Sequence, residues 1–225
     1  MDEQRQQDPP AGLSWGLTAF LLGFGLYYLV SLLIIGFLPA ADGPRSGVRL
    51  LVPFGANLFL GLVPWWFSRR RGRGGIKDFG FVPDRRDLQV GLTWGIGSLV
   101  AGLAISLLLS HLIPPTTSQV STHLDGWLVG YSLFLVIGAP ITEELLVRGA
   151  LWGGLEHFGV PRLTILVLTA LVFAFIHLEP SRLASLFAQG IAIGGARLVT
   201  GRVGASMVAH ATNNLLPGIF TLAGF

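Results

Sequence analysis

The sequence predicts an all-α fold, a polytopic transmembrane bundle of about seven to eight helices. Three observations carry this expectation. Hydrophobic residues make up 52% of the chain and charged residues only 12%, about half the charge of a soluble domain. Mean hydropathy is +0.66. Mostly apolar runs of about 18 residues or more recur along the chain, long enough to cross a bilayer as helices.

The elements follow in order. Residues 1–12 form a polar tail, MDEQRQQDPP at its start, without the basic segment of a signal peptide. Residues 13–225 form a single transmembrane domain, because no linker separates two cores. The first span runs from Leu13 to about Leu38, with Trp15 at its entry and Pro39 at its exit. The second runs from about Val48 to Phe67 and ends in Trp65-Trp66-Phe67, residues that favour the headgroup level. The next segment, SRRRGRGGIKDFGFVPDRRD, holds seven of the fifteen Lys and Arg residues. A third span covers about Leu88 to Ile113, and a loop from Pro114 to Asp125 follows. The fourth starts at Trp127, is expected to kink near Gly138-Ala139-Pro140, and runs on toward Phe158. The remaining spans are Arg162 to about Leu178, about Arg182 to Val199, and Val203 to about Phe220. Pro217-Gly218 is expected to break the last of these before its end.

Charge and composition exclude several function classes. There is no cysteine, so disulfides and thiolate chemistry are ruled out. The net charge of +3 is clustered in a way that reports topology rather than nucleic-acid binding. Basic loops stay on the cytoplasmic side, so the arginine-rich loop and the N-terminus face the cytosol and the loop near Asp125 faces outward. Arg148, Arg162, Arg197 and Arg202 then fall toward the inner side. The expected setting is the plasma (inner) membrane. No internal repeat is visible, which argues against a transporter built from repeated halves.

Ionisable groups within spans are costly and mark functional sites. Here they are Glu143, Glu144 and Arg148 in the fourth span, His177 after Phe173 in the fifth, and His210 with Asn214 in the last. The turn Gly159-Val160-Pro161 makes a helical hairpin. Glu143 lies seventeen residues before Val160 and His177 seventeen after it, so the two reach the same level, roughly 25 Å from the turn. His210, eight residues beyond Arg202, stands roughly 12 Å from the inner surface. All three groups are expected near one depth.

Spacing refines the roles. Glu144 and Arg148 are four apart and can pair, as can His210 and Asn214, or Phe173 and His177. Glu143 and Glu144 point about 100° apart, so one can face a site while the other pairs with Arg148. Two imidazoles with a carboxylate can hold zinc or another divalent metal, His177 and His210 being the candidate ligands with Glu144 or Asn214. A neighbouring carboxylate can take a proton from water, and an asparagine can donate to an oxyanion. Without a metal, Glu143 can still activate water while His210 and Asn214 stabilise charge. Both routes lead to peptide hydrolysis. The alternatives are a histidine simply hydrogen-bonded between helices and a Glu-Arg pair that only braces its own helix. His111, His123 and His157 read as interfacial histidines. Glu179 either caps the helix that follows or tunes the site.

The three motifs resemble the CPBP family of intramembrane proteases, which includes the type II CAAX prenyl endopeptidases and the bacterial Abi proteins. EExxxR matches Glu143-Glu144-Leu145-Leu146-Val147-Arg148, FxxxH matches Phe173 to His177, and HxxxN matches His210 to Asn214. They occur in the family's order within a protease-like core of about residues 127–220. The resemblance implies an intramembrane endopeptidase opening to the cytosolic side, usually described as metal-dependent, although a metal-free glutamate mechanism has been argued. Glu143 would activate water, Glu144 would support it, and His177, His210 and Asn214 would surround the reacting centre. Its partners would be the lipid bilayer and a peptide or protein substrate, prenylated or membrane-embedded. The family's other implication is a non-catalytic immunity or scaffold protein of the Abi type.

Overall fold

A computed structural model describes residues 12–37, 47–109 and 126–223. Among the described residues, eight helices make up the bundle and no strand occurs. They are α1 (Gly16–Phe37), α2 (Gly47–Arg71), the short α3 (Gly75–Phe79), α4 (Arg85–Leu109), α5 (126–157), α6 (Arg162–Ile176), α7 (Leu183–Thr200) and α8 (Val203–Ala223). The segment holding His111, His123 and the whole loop from Pro114 to Asp125 lies outside the described residues.

What makes this a membrane bundle is the inversion of its surfaces. The inner face of α4 is small and polar: Asp87, Gly91, Gly95, Ser98 and Gly102 are its buried residues. Its outer face carries Leu107 and Leu108, 71% and 74% exposed. Such a surface suits hydrocarbon, and small inward residues let helices approach closely. A Cβ on Gly95 would lie 2.6 Å from the Ala209 carbonyl oxygen of α8. Accordingly α4 packs on α7 and α8, α1 packs on α2 and on the middle of α5, and α6 packs on α7.

Among the described residues, four segments are long and apolar enough to cross a membrane: Gly16–Gly36, Arg85–Leu109, Leu128–His157 and Pro180–Thr200. Spans were also expected at α2, α6 and α8. Helix α2, with 25 residues, is long enough to cross. The 15 residues of α6 are fewer than the roughly 20 of a full crossing, and His210 with Asn213-Asn214 interrupts α8.

Two local outcomes differ from expectation. Helix α8 runs through Pro217 to Ala223 instead of breaking. Proline removes a single N–H, whereas an open segment within lipid would leave several backbone groups unsatisfied. The expected kink near Pro140 is instead a change of winding. Helix α5 is α-helical at Gly126–Leu133, Ala139–Glu144 and Trp152–His157, and π-helical at Phe134–Gly138 and Leu145–Leu151. Single π-turns inside helices occur often at functional sites. Glu143 and Glu144 lie between these two.

The arginine-rich end is organised by carboxylates. Asp78 accepts from Ser68 Oγ at 2.6 Å and from the Arg73 backbone N–H at 3.0 Å. Asp84 and Asp87 form a reciprocal capping box at the start of α4: Asp87 N donates to Asp84 Oδ1 at 2.9 Å and Asp84 N to Asp87 Oδ2 at 3.1 Å. Arg202 Nε also donates to Asp87 Oδ2, at 2.7 Å, tying the α7–α8 turn to α4. The Asp87 N–H holds the Asp84 carboxyl below the usual range. The bond to Asp87 likewise raises the Arg202 guanidinium above its ordinary value.

Candidate active site

Seven helices line one cavity of about 580 Å³, a size suited to a small ligand or a stretch of peptide. Glu143 enters it from α5, His177 from the end of α6, and His210 and Asn214 from α8. Glu144 and Arg148 lie behind that wall. Both side chains are fully buried, and Arg148 Nη1 donates to Glu144 Oε1 at 2.8 Å. The other end of the guanidinium, Nη2, donates to the Gly190 carbonyl at 2.7 Å. Arg148 therefore neutralises Glu144 and ties α5 to α7.

The carboxylate of Glu144 in turn orients His210. Its Oε1 accepts from His210 Nδ1 at 3.0 Å, because an ionised carboxylate only accepts. That bond sets the tautomer and leaves Nε2 with its lone pair. Nε2 stands 4.0 Å from Glu143 Oε2, and this oxygen is buried without a hydrogen-bond partner. A gap of 4.0 Å is too long for a direct bond and fits a bridging water about 2.8 Å from each atom.

Phe173 packs at the centre of the motif residues. Its ring lies 4.9 Å from Arg148 Cζ, with the ring centroids of His177 and His210 at 4.7 and 5.3 Å. His177 Nδ1 donates to the Phe173 carbonyl at 2.7 Å, since a carbonyl can only accept. This turns Nε2 of the second imidazole free of the helix that carries it.

Asn214 is anchored by a consequence of Pro140. Ala139 N reaches back to the Phe134 carbonyl in the π-turn. In that winding the Leu135 carbonyl would receive the N–H of residue 140, which proline lacks. The Asn214 side chain takes the place, with Nδ2 donating to Leu135 O at 3.0 Å. Its second N–H is left for a ligand. Asn213, buried beside it, donates to Asn214 Oδ1 at 3.1 Å and accepts from Ser98 Oγ at 2.9 Å.

The structure thus brings Glu143, Phe173, His177, His210 and Asn214 to one cavity and sets Glu144 and Arg148 behind them. Glu179 makes no cap to the following helix. It pairs with Arg182 at 2.8 Å, and both line the cavity. His157 is exposed and meets the Phe158 ring edge-to-face. Asn57 of α2, Ser98 of α4 and Asn213 were not picked out from the sequence. Asn57 is a polar residue within an apolar run, the one signal that pointed to it.

A metal centre was expected at His177 and His210. Both rings hold their Nδ1 hydrogens in second bonds, as ligand imidazoles do. Yet among the described residues no three His, Asp or Glu side chains stand together at a spacing that could hold a metal ion.

Residues 125–216 match the family described as type II CAAX prenyl endopeptidase Rce1-like. Over these residues the chain is similar to the CAAX-protease family. No curated protein and no solved structure matches it. The matched segment runs from α5 into α8 and so contains all three motifs. The cavity, however, also draws Tyr27 from α1, Asn57 from α2 and Leu99 from α4, all of them outside that segment.

Proposed function

We propose that this protein is an intramembrane endopeptidase that hydrolyses a peptide bond with water activated by Glu143. The observation that carries the reading is the bare Glu143 Oε2 facing His210 Nε2 across 4.0 Å inside a closed helical bundle. A water between them donates one hydrogen to the carboxylate and one to the imidazole, so its oxygen lone pair is free to attack a carbonyl carbon. The water proton passes to Glu143 as the C–O bond forms. The free N–H of Asn214 stabilises the oxyanion. The proton on Glu143 then moves to the amide nitrogen, the C–N bond breaks, and a carboxylate and an amine leave.

The residues behind the cavity hold this arrangement. Arg148 keeps Glu144 an acceptor, Glu144 keeps the proton on His210 Nδ1, and His177 borders the reacting centre. The substrate is a peptide carrying an apolar group, prenyl chains included, because the walls mix Leu99, Phe173 and Leu186 with the polar cluster. The basic face around Arg69, Arg70 and Arg71 lies on the cytosolic side.

The test is purified wild type against Glu143→Gln in proteoliposomes, with fluorogenic peptides with and without a prenyl group. Cleavage is expected to fall by about 10²- to 10⁴-fold with thermal stability near wild type. Full activity of Glu143→Gln ends the proposal. A biological effect that survives this substitution would favour a non-catalytic scaffold.

A further inference from the structure

We infer that Asn57, on a helix outside the matched segment, is the positioning residue for the Glu143 carboxylate. The inference rests on the endopeptidase reading above. Asn57 Nδ2 donates to Glu143 Oε1 at 3.4 Å. The Asn57 side chain is buried. An ionised carboxylate only accepts, so the amide presents its NH₂ end to Glu143 and its Oδ1 to the hydroxyl of the neighbouring Thr142. One carboxylate oxygen is thereby held by α2, and the other, Oε2, is left toward His210.

The backbone is shaped for this contact. Gly61 lies four residues after Asn57, on the same face of α2. A Cβ there would lie 2.9 Å from Thr142 Cγ2 and 3.3 Å from Thr142 Cα. Only a glycine lets α2 come this close to the turn of α5 that carries Thr142 and Glu143. The close approach and the hydrogen bond thus serve one placement. A carboxylate held at a single oxygen by a buried amide keeps one rotamer. A general base gains from that, because misplacement by about 1 Å can cost 10²-fold in rate.

The experiment compares Asn57→Ala and Asn57→Leu, the second keeping side-chain bulk, in two measurements. In turnover, kcat should fall about 10- to 100-fold, the range expected for losing a hydrogen bond to a charged group, while KM stays within about 3-fold. A packing role alone would lower the yield of folded protein without this split. The second measurement is a double-mutant cycle on the melting temperature, Asn57→Ala in wild type and in Glu143→Ala. Direct contact predicts a smaller drop in the Glu143→Ala background. Additive drops overturn the inference, and so does unchanged kcat in both Asn57 variants. The cycle needs no turnover, so it reads the contact even if the protease reading fails, and an active Glu143→Gln would mark that failure separately.

Discussion

Replacing Pro140 by alanine should damage catalysis while hardly touching stability. In the wild type the Leu135 carbonyl has no backbone donor, because Ala139 N bonds Phe134 O and Pro140 has no N–H. Asn214 Nδ2 fills the vacancy at 3.0 Å. Alanine restores a backbone N–H aimed at the same oxygen, and the amide is displaced. One hydrogen bond replaces another, each worth about 0.5–1.5 kcal/mol. Losing proline adds about 0.4–1 kcal/mol of unfolded-state entropy. The net change in stability is therefore about 1 kcal/mol or less, about 2–4 °C in melting temperature for a chain of this size. Freed from its anchor, Asn214 no longer presents its second N–H at a fixed point. A loss of about 10- to 100-fold in kcat is expected. The assay is peptide cleavage in proteoliposomes for Pro140→Ala, Asn214→Ala and the double variant, beside thermal unfolding in detergent. Both changes act through one amide, so the double variant should be no slower than Asn214→Ala. Wild-type kcat in Pro140→Ala, or multiplicative losses in the double variant, would refute the reasoning.

Three further outcomes are expected. Arg148→Met leaves Glu144 buried without its cation, a loss of about 3–5 kcal/mol; Arg148→Met/Glu144→Gln should recover most of that stability, and a single variant that melts like wild type contradicts the pairing. Because Asp84 has a lowered carboxyl pKa in the folded protein, its stabilising contribution is complete above the unfolded value of about 3.9 and fades as pH falls through the lower, folded value. Asp84→Ala should therefore flatten the acid-side decline of the melting temperature below about pH 4, and an unchanged slope argues against the cap. Metal analysis of active wild type separates the two routes: one zinc per chain, lost in both His177→Ala and His210→Ala, requires a metal-bound water, and activity without stoichiometric zinc leaves the glutamate route.

Much of the site was legible because charge within an apolar run is rare and costly. Glu143, Glu144, Arg148, His177 and His210 stand out against their neighbours on that ground alone. Helical spacing gave the Glu144–Arg148 pair, seen at 2.8 Å, since residues four apart share a face whatever lies around them. Spacing could not say which of two adjacent glutamates meets the cavity. That choice depends on what packs against each: Arg148 and His210 surround Glu144, and Asn57 receives Glu143.

The sequence by itself determined the helical class, the lipid-facing chemistry and the order of the motif residues, because those follow from local composition and helical periodicity. Only the tertiary structure decided that Asn57 and Asn213 join the site, that α5 winds through two π-turns, and that Leu135 holds Asn214. Such contacts connect residues tens of positions apart, and they exist only once close helix packing brings one backbone's unsatisfied group within reach of another helix's side chain.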